Sequence, residues 1–152
     1  MTSESGSVRR ATVADAAAIA SLSAELGYPV ELGDIQNRLR ALLEATDQLV
    51  LVATAADHAV VGWIHGAEHL LLEVGSRCEI LGLVVSSGHR RGGIGHRLLA
   101  AVEAWALSRR LPEVSVRSNV LRESSHPFYE KHGYRRVKTQ HAYRKAVGEH
   151  HG

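Results

Sequence analysis

Val84-Val85-Ser86-Ser87-Gly88-His89-Arg90-Arg91-Gly92-Gly93-Ile94-Gly95-His96-Arg97 is the stretch on which the fold turns. The hydrophobic run before it, Cys78 to Val85, reads as a buried strand. The run after it places Ile94, Leu98, Val102, Trp105 and Ala106 on one side of a helix. A strand that passes through glycines straight into a helix leaves the first-turn N–H groups without intrahelical acceptors, at the positive end of the helix dipole. Gly92, Gly93 and Gly95 carry no Cβ, so an anion can approach the backbone closely. Arg90, Arg91 and Arg97 add positive charge. The junction suits a pyrophosphate. The plain alternative is a tight turn whose glycines only reverse the chain and whose arginines are solvated.

Two other phosphate loops do not fit. Gly93-Ile94-Gly95 begins a dinucleotide-binding pattern, but its third glycine position holds Leu98. No Gly-Lys-Ser or Gly-Lys-Thr is present, which excludes a nucleoside-triphosphate P-loop.

Working outward, Val8 to Arg10 suits a short first strand, and Thr12 with Asp15 matches a capping box before an alanine-rich helix carrying Ile19, Leu22 and Leu26. Gly27-Tyr28-Pro29 ends that helix. Ile35, Leu39, Leu42 and Leu43 mark a second one. Leu49 to Val52 reads as a strand, Ala56 to His58 as a turn and Val60 to His65 as the returning strand. A loop-like stretch then leads to Cys78. After the central helix, Val114 and Val116 form a strand, a short helix around Phe128-Tyr129 stops at Gly133, and Tyr134 to Lys145 supplies one or two closing strands. The expectation is an α/β fold of the α+β kind: a mixed, mostly antiparallel sheet of about six or seven strands flanked by about four helices. Residues 8–147 form one domain in this reading, with flexible tails at 1–7 and 148–152.

Bulk properties agree. The 152 residues are 45% hydrophobic and 22% charged, with three prolines, which is a globular profile. A net charge of +2 fits an anionic ligand and is too weak to argue for nucleic acid. Cys78 is the only cysteine, so no internal disulfide forms and a reducing, cytoplasmic setting is expected. No apolar run of about 18 residues implies a membrane span. The ten histidines show no metal spacing: His65 and His69 fall on a strand and its exit, and His-Glu-x-x-His is missing. No metal is expected.

Arg90-x-x-Gly93-x-Gly95, between a hydrophobic strand and a long helix, resembles the Arg/Gln-x-x-Gly-x-Gly/Ala signature of the GNAT superfamily of N-acetyltransferases. Asn119-Val120-Leu121-Arg122, Ser125 and Phe128-Tyr129-Glu130-Lys131-His132-Gly133-Tyr134 are similar to that superfamily's second signature. The resemblance spans about residues 8–145. It implies acetyl-CoA as co-substrate and direct attack by an amine within a ternary complex, with Arg90, Arg91, Gly92, Gly93, Ile94, Gly95 and His96 around the cofactor's diphosphate.

The same resemblance gives roles to other residues. Tyr129 occupies the general-acid position, and Asn119 contacts the cofactor or an ordered water. Leu83, Val84 and Val85 would pair with the pantetheine arm like an added strand, and the N–H of Val84 or a neighbour would polarise the thioester carbonyl. Glu79 is the candidate base. By plain alternation it shares a strand face with Leu81 and Leu83, and a solvated or salt-bridged strand glutamate is the other reading of it. Gly82 within a strand suggests a bulge or a close backbone approach, with simple packing as the other reading. The acceptor is a small-molecule or peptide amine whose identity the sequence does not disclose, and a homodimer is a family-level expectation. A binding module without turnover is the alternative. A nucleic-acid binder is disfavoured, because the basic stretch lacks interleaved aromatics.

Overall fold

The computed structural model describes residues 6–90, 92–117 and 125–148. The chain divides into two compact units, Met1–Arg117 and Ser118–Gly152.

In the first unit β1 (Val8–Arg10) is followed by a 3-10 turn (Val13–Asp15), α1 (Ala16–Glu25), α2 (Leu32–Glu44), β2 (Gln48–Thr54), β3 (Val60–Leu71) and β4 (Gly75–Val85). A second 3-10 turn (Ser87–His89), α3 (Ile94–Ser108) and β5 (Val114–Val116) complete it. The sheet runs β1-β2-β3-β4-β5, antiparallel through β4, with β5 parallel to β4. The fold is therefore α+β with a mixed, mostly antiparallel sheet of five strands.

Local chemistry sets the entry to α1. Thr12 N–H donates to Asp15 Oδ2 at 2.8 Å, and Arg9 grips the same carboxylate with two bonds of 2.8 and 2.9 Å. Those Arg9 bonds, assisted by the Thr12 amide and opposed by burial, hold the Asp15 carboxyl below its ordinary range. The pair ties β1 to the start of the helix.

The sheet has two dressed faces. On one, Val50, Val52 and Trp63 pack with Ile19 of α1 and with Ile35, Leu39, Leu42 and Leu43 of α2. On the other, α3 lies so close that a Cβ added to Gly62 would meet Ile94 and Leu98 at 3.2 Å. Ile64, Cys78, Leu98, Leu99 and Val102 are fully buried there. Burial pushes the Cys78 thiol up to about 11, so it behaves as a small hydrophobe.

Two expectations need correction. The returning strand does not stop at His65: β3 reaches Leu71 and forms a long hairpin with β4. Ala67-Glu68-His69-Leu70 carries no breaker, and its backbone groups are satisfied by the β4 ladder. Secondly, Tyr134 to Lys145 contains no strand. Basic residues fill the stretch, and Val137 and Tyr143 are largely exposed, so it offers no apolar face of period two.

In the second unit α4 (Ser125–Lys131) ends as expected at Gly133. Tyr134 N–H donates to Tyr129 O at 3.0 Å and Gly133 N–H to Glu130 O at 3.2 Å, with Gly133 at φ 89°. These bonds form the paired C-terminal cap that glycine favours.

Candidate functional site

The site is organised by an irregularity in β4. His65 pairs with Gly82 but Gly66 pairs with Ile80, so Leu81 is an extra residue opposite no partner. Directly paired residues project to the same face. Above the bulge, Val84 lies beside Trp63 and Gly82 beside His65; below it, Glu79 lies beside Ala67. Glu79 therefore shares the α1/α2 face with Gly82 and Val84, not with Leu81 and Leu83. The one-face alignment expected from simple alternation is overturned, because one inserted residue inverts the order. Leu83 and Val85 turn instead toward α3, and Leu81 is half exposed. Of the readings of Gly82, the bulge and side-chain packing are both found. The glycine adjoins the bulge, and a Cβ on it would sit 2.8 Å from the Trp63 ring.

Glu79 is buried at the centre of β4, opposite Ser115 of β5. Its carboxylate is held on both sides: Oε1 lies 3.1 Å from His69 Nε2 and Oε2 3.0 Å from Arg117 Nε. The Glu79 side chain is 12% exposed, His69 37% and Arg117 80%. Further along the same face His65 Nε2 meets Gln48 Oε1 at 2.7 Å. Burial and the neighbouring His69 keep the His65 imidazole below its ordinary range. This half of the α1/α2 face is thus polar and ionic, where the other half is apolar.

Beyond the bulge the far edge of β4 opens. The β4–β5 ladder consists of Cys78–Val114, Glu79–Ser115 and Ile80–Val116 only, and among the described residues no strand continues it. Ser86 N–H donates to Val61 O at 2.8 Å, which sets the phase of the β3–β4 ladder. In antiparallel pairing alternate residues turn both polar backbone groups to one neighbour. Gly82 and Val84 consequently face β3, while Leu83 and Val85 present N–H and C=O on the open side. Arg90 Nε already donates to one of these groups, Val85 O, at 3.3 Å. The amide on the open edge is thus a neighbour of Val84, not Val84 itself.

That edge runs into the glycine turn. Glu25 Oε1 accepts from Ser87 N–H at 2.7 Å and fixes the start of the turn. The Ser87 amide, ahead of the weaker fields of Arg90 and His89, holds the Glu25 carboxyl below its ordinary range. Gly92 N–H donates to His89 O at 3.3 Å, and Gly93, at φ 78°, is the left-handed N-cap of α3. An L side chain rarely adopts that φ, so glycine is needed there. Ile94 is buried and anchors the helix, while Gly92, Gly93 and His96 lie at the surface. The first intrahelical bond is Arg97 N–H to Gly93 O at 3.0 Å, so the Ile94 and Gly95 amides precede the ladder and point out of the helix end. Arg97 sends Nη1 to Gly6 O at 3.0 Å. Arg91 and Asn119, together with Arg122, lie outside the described residues.

Tyr129 belongs to the second unit. Its ring meets Phe128 edge-on at 5.2 Å and Tyr134 at 6.0 Å, and Phe128 also contacts His132 at 4.7 Å. The tyrosine is held in a small aromatic cluster.

Sequence reasoning missed His69 and Arg117 as partners of Glu79. Carrying β3 past His65 would have put His65, Ala67 and His69 on one face, and Ser115 with Arg117 repeats that period across β5. The bulge hid the rest. Among the described residues no group of three metal-ligating side chains occurs, and no helix is long and apolar enough to cross a membrane.

Comparison with known proteins gives a consistent answer. The model of the family described as Acetyltransferase (GNAT) family matches residues 16–134. Among solved structures, aminoglycoside 6'-N-acetyltransferase AAC(6')-Ih from Acinetobacter baumannii is 17% identical, with 94% of this chain and 99% of that one covered and a TM-score of 0.83. A GNAT family acetyltransferase from Staphylococcus aureus is 22% identical, with coverages of 95% and 100% and a TM-score of 0.73. Aminoglycoside N-acetyltransferase AAC(6')-Iy, solved in complex with CoA, is 17% identical, with coverages of 95% and 98% and a TM-score of 0.84. No curated protein sequence matches the chain. At these identities the structural likeness establishes the fold.

Proposed function

Because the chain belongs to the GNAT family of acetyltransferases, we propose that it is an acetyl-CoA-dependent N-acetyltransferase that acetylates a primary amine by direct attack. One observation carries this reading. The edge of β4 above the bulge, unpaired among the described residues, leads through a 3-10 turn and the glycines to outward-pointing amides at the N-terminus of α3. A linear ligand with a polar amide arm at one end and a diphosphate at the other matches that sequence of groups.

In this reading the diphosphate lies against the Gly93, Ile94 and Gly95 backbone, with Arg90 and Arg91 adding charge and Gly92 and His96 flanking it. The pantetheine arm extends along Leu83 and Val85. An open-edge N–H at these positions polarises the thioester carbonyl as the amine adds, and a fixed dipole there does so without reorganising. Asn119 contacts the cofactor. Glu79 accepts the proton that the amine must lose, directly or through water, and Tyr129 protonates the departing thiolate. A carboxylate keeps lone pairs beyond the two engaged by His69 and Arg117, so the existing ion pairs leave room for this role.

The amine acceptor is a small molecule or a peptide. Glu25, Glu31, Asp34, Glu68 and Glu73 are acids that could attract a cationic acceptor, and two of them already have partners. Glu25 is committed to Ser87, and Glu68 pairs with Arg109 at 2.8 Å.

The test uses the purified chain, acetyl-CoA and a panel of amines, with release of free thiol as the signal. Turnover with at least one amine is expected. Glu79→Gln should lower kcat about 100-fold and Tyr129→Phe about 10-fold, both with unchanged acetyl-CoA affinity. Tight acetyl-CoA binding without thiol release from any amine would replace the enzyme by an acyl-CoA-binding module.

A further inference from the structure

The carboxylate assigned to proton uptake is nearly closed off from water, and that raises a question of how it is reset. An amine arriving as an ammonium ion yields amide, free thiol and one proton to solvent. The C–N bond forms, the C–S bond breaks with its electron pair on sulfur, and one of the two nitrogen protons ends on the thiol. The other must leave through the base. Glu79 is 12% exposed, and two side chains touch its oxygens. Arg117 is the more exposed, but a guanidinium neither accepts a proton nor gives one up in a protein. His69 lies 3.1 Å from Oε1, is 37% exposed, and has a second ring nitrogen that can exchange with water.

We propose that His69 is the proton outlet of Glu79, a positioning residue that acts through the carboxylate and resets it after each turnover. The inference rests on the acetyltransferase reading with Glu79 as proton acceptor. The pair works as one unit. When the amine's proton reaches Glu79, it crosses the Oε1–Nε2 contact to His69, and the ring gives up one proton to water from Nδ1. One proton enters the pair and one leaves, Glu79 is again a carboxylate, and exchange of the remaining ring proton with water returns the imidazole to its accepting tautomer. The other groups on this face fit the assignment. His65 on β3, Arg77 on β4 and Arg117 after β5 are the charged or titratable neighbours. Arg77 is turned toward Glu113 at 4.0 Å, and His65 is bonded to Gln48, with burial holding its imidazole below the ordinary range. None of them offers Glu79 a second titratable route.

The experiment compares wild type, Glu79→Gln, His69→Gln and His69→Ala, measuring the acetylated amine directly. Glutamine keeps a donor for Oε1 but cannot carry a proton, so it separates geometry from proton transfer. His69→Gln should lower kcat about 10-fold with the acetyl-CoA KM within about twofold. Added imidazole should restore the rate of His69→Ala at least about threefold and do nothing for Glu79→Gln. Protection against heat by coenzyme A verifies that each variant is folded. A wild-type rate in His69→Gln, or no imidazole response in His69→Ala, overturns the outlet while leaving the acetyltransferase intact. A wild-type rate in Glu79→Gln removes the base and its outlet together. Absence of turnover by the unaltered protein with every amine defeats the acetyltransferase reading first.

Discussion

The two halves of β4, divided at Leu81, make opposite use of the same backbone. Below the bulge, Cys78 to Ile80 are paired on both edges and buried, and Glu79 is locked into ion pairs on the α1/α2 face. Above it, Gly82 to Val85 are half-buried and, among the described residues, paired on one edge only, and Leu83 and Val85 turn their amides and carbonyls outward. One half is built for side-chain chemistry and the other for backbone recognition. A regular strand could not separate them this way, since alternation would have put Glu79 and Leu83 on one face.

Deleting Leu81 is the most direct way to break the contrast. With Leu81 gone, Gly82 can stay opposite His65 and Ile80 opposite Gly66 in a regular strand, so Glu79 keeps the α1/α2 face while the local bend and twist are lost. Forcing that straightening on the packed sheet should cost about 2–3 kcal/mol in denaturant unfolding. Leu81→Ala keeps the bulge and trims a half-exposed side chain, so it should cost less than about 1 kcal/mol. Equal losses in the two variants would show that the side chain matters and the extra residue does not.

Next in size is the effect on the upper half alone. Gly93→Asp adds a side chain where no protein atom lies within 4 Å, so the fold has room for it. The added carboxylate would lie where a phosphate is proposed to bind, at a backbone angle that favours glycine. Acetyl-CoA should bind at least about 100-fold more weakly by calorimetry, equivalent to about 2.7 kcal/mol. The melting temperature of the free protein should fall by only a few degrees. Unchanged affinity in a folded variant would remove the diphosphate from this turn.

How much of this was legible beforehand follows the range of the signal. The glycine turn, the capping box at Thr12 and Asp15, and the stop at Gly133 are local. Each is set by residues within a few positions, and each appears in the structure as read. The stripe of Ile35, Leu39, Leu42 and Leu43 likewise found its core. The reach of β3 to Leu71, the bulge at Leu81 and the embrace of Glu79 by His69 and Arg117 depend on partners far along the chain. Gly82 alone hinted at the bulge, and only as one of three readings. The closing strands failed for a related reason: Tyr134 and Val137 resemble a strand start, but the basic residues after them give no apolar face.

Gly82 itself yields a smaller effect at the boundary between the halves. Gly82→Ala would push a methyl group against the Trp63 ring at 2.8 Å, and that ring is part of the α1/α2 core. The ring must shift, at a cost of about 1–2 kcal/mol. Because the move lies on the Glu79 face and not on the open edge, acetyl-CoA affinity should change less than about threefold. A loss of affinity as large as that of Gly93→Asp would mean that the two halves are mechanically coupled.

The smallest expected effect concerns the cross-strand partner of Gly82. His65 is held below its ordinary range by burial and, secondarily, by His69, while Gln48 occupies its Nε2. The unfolded chain takes up a proton at this residue near pH 6.5, whereas the folded chain resists until a lower pH. Its contribution is therefore complete above about pH 6.5 and is lost as the pH falls toward the folded-state value. Asp15, also depressed, loses its contribution only on further acidification below about pH 3.9, so the two windows do not overlap at the upper end. Replacing His65 by Gln removes the first window and leaves the second. Between pH 7.5 and 5.5 the unfolding free energy of the variant should fall by less than that of the parent, by a few tenths to about 1 kcal/mol. Identical slopes would place the acid sensitivity of this face elsewhere, with His69 and its carboxylate the first group to test by the same substitution.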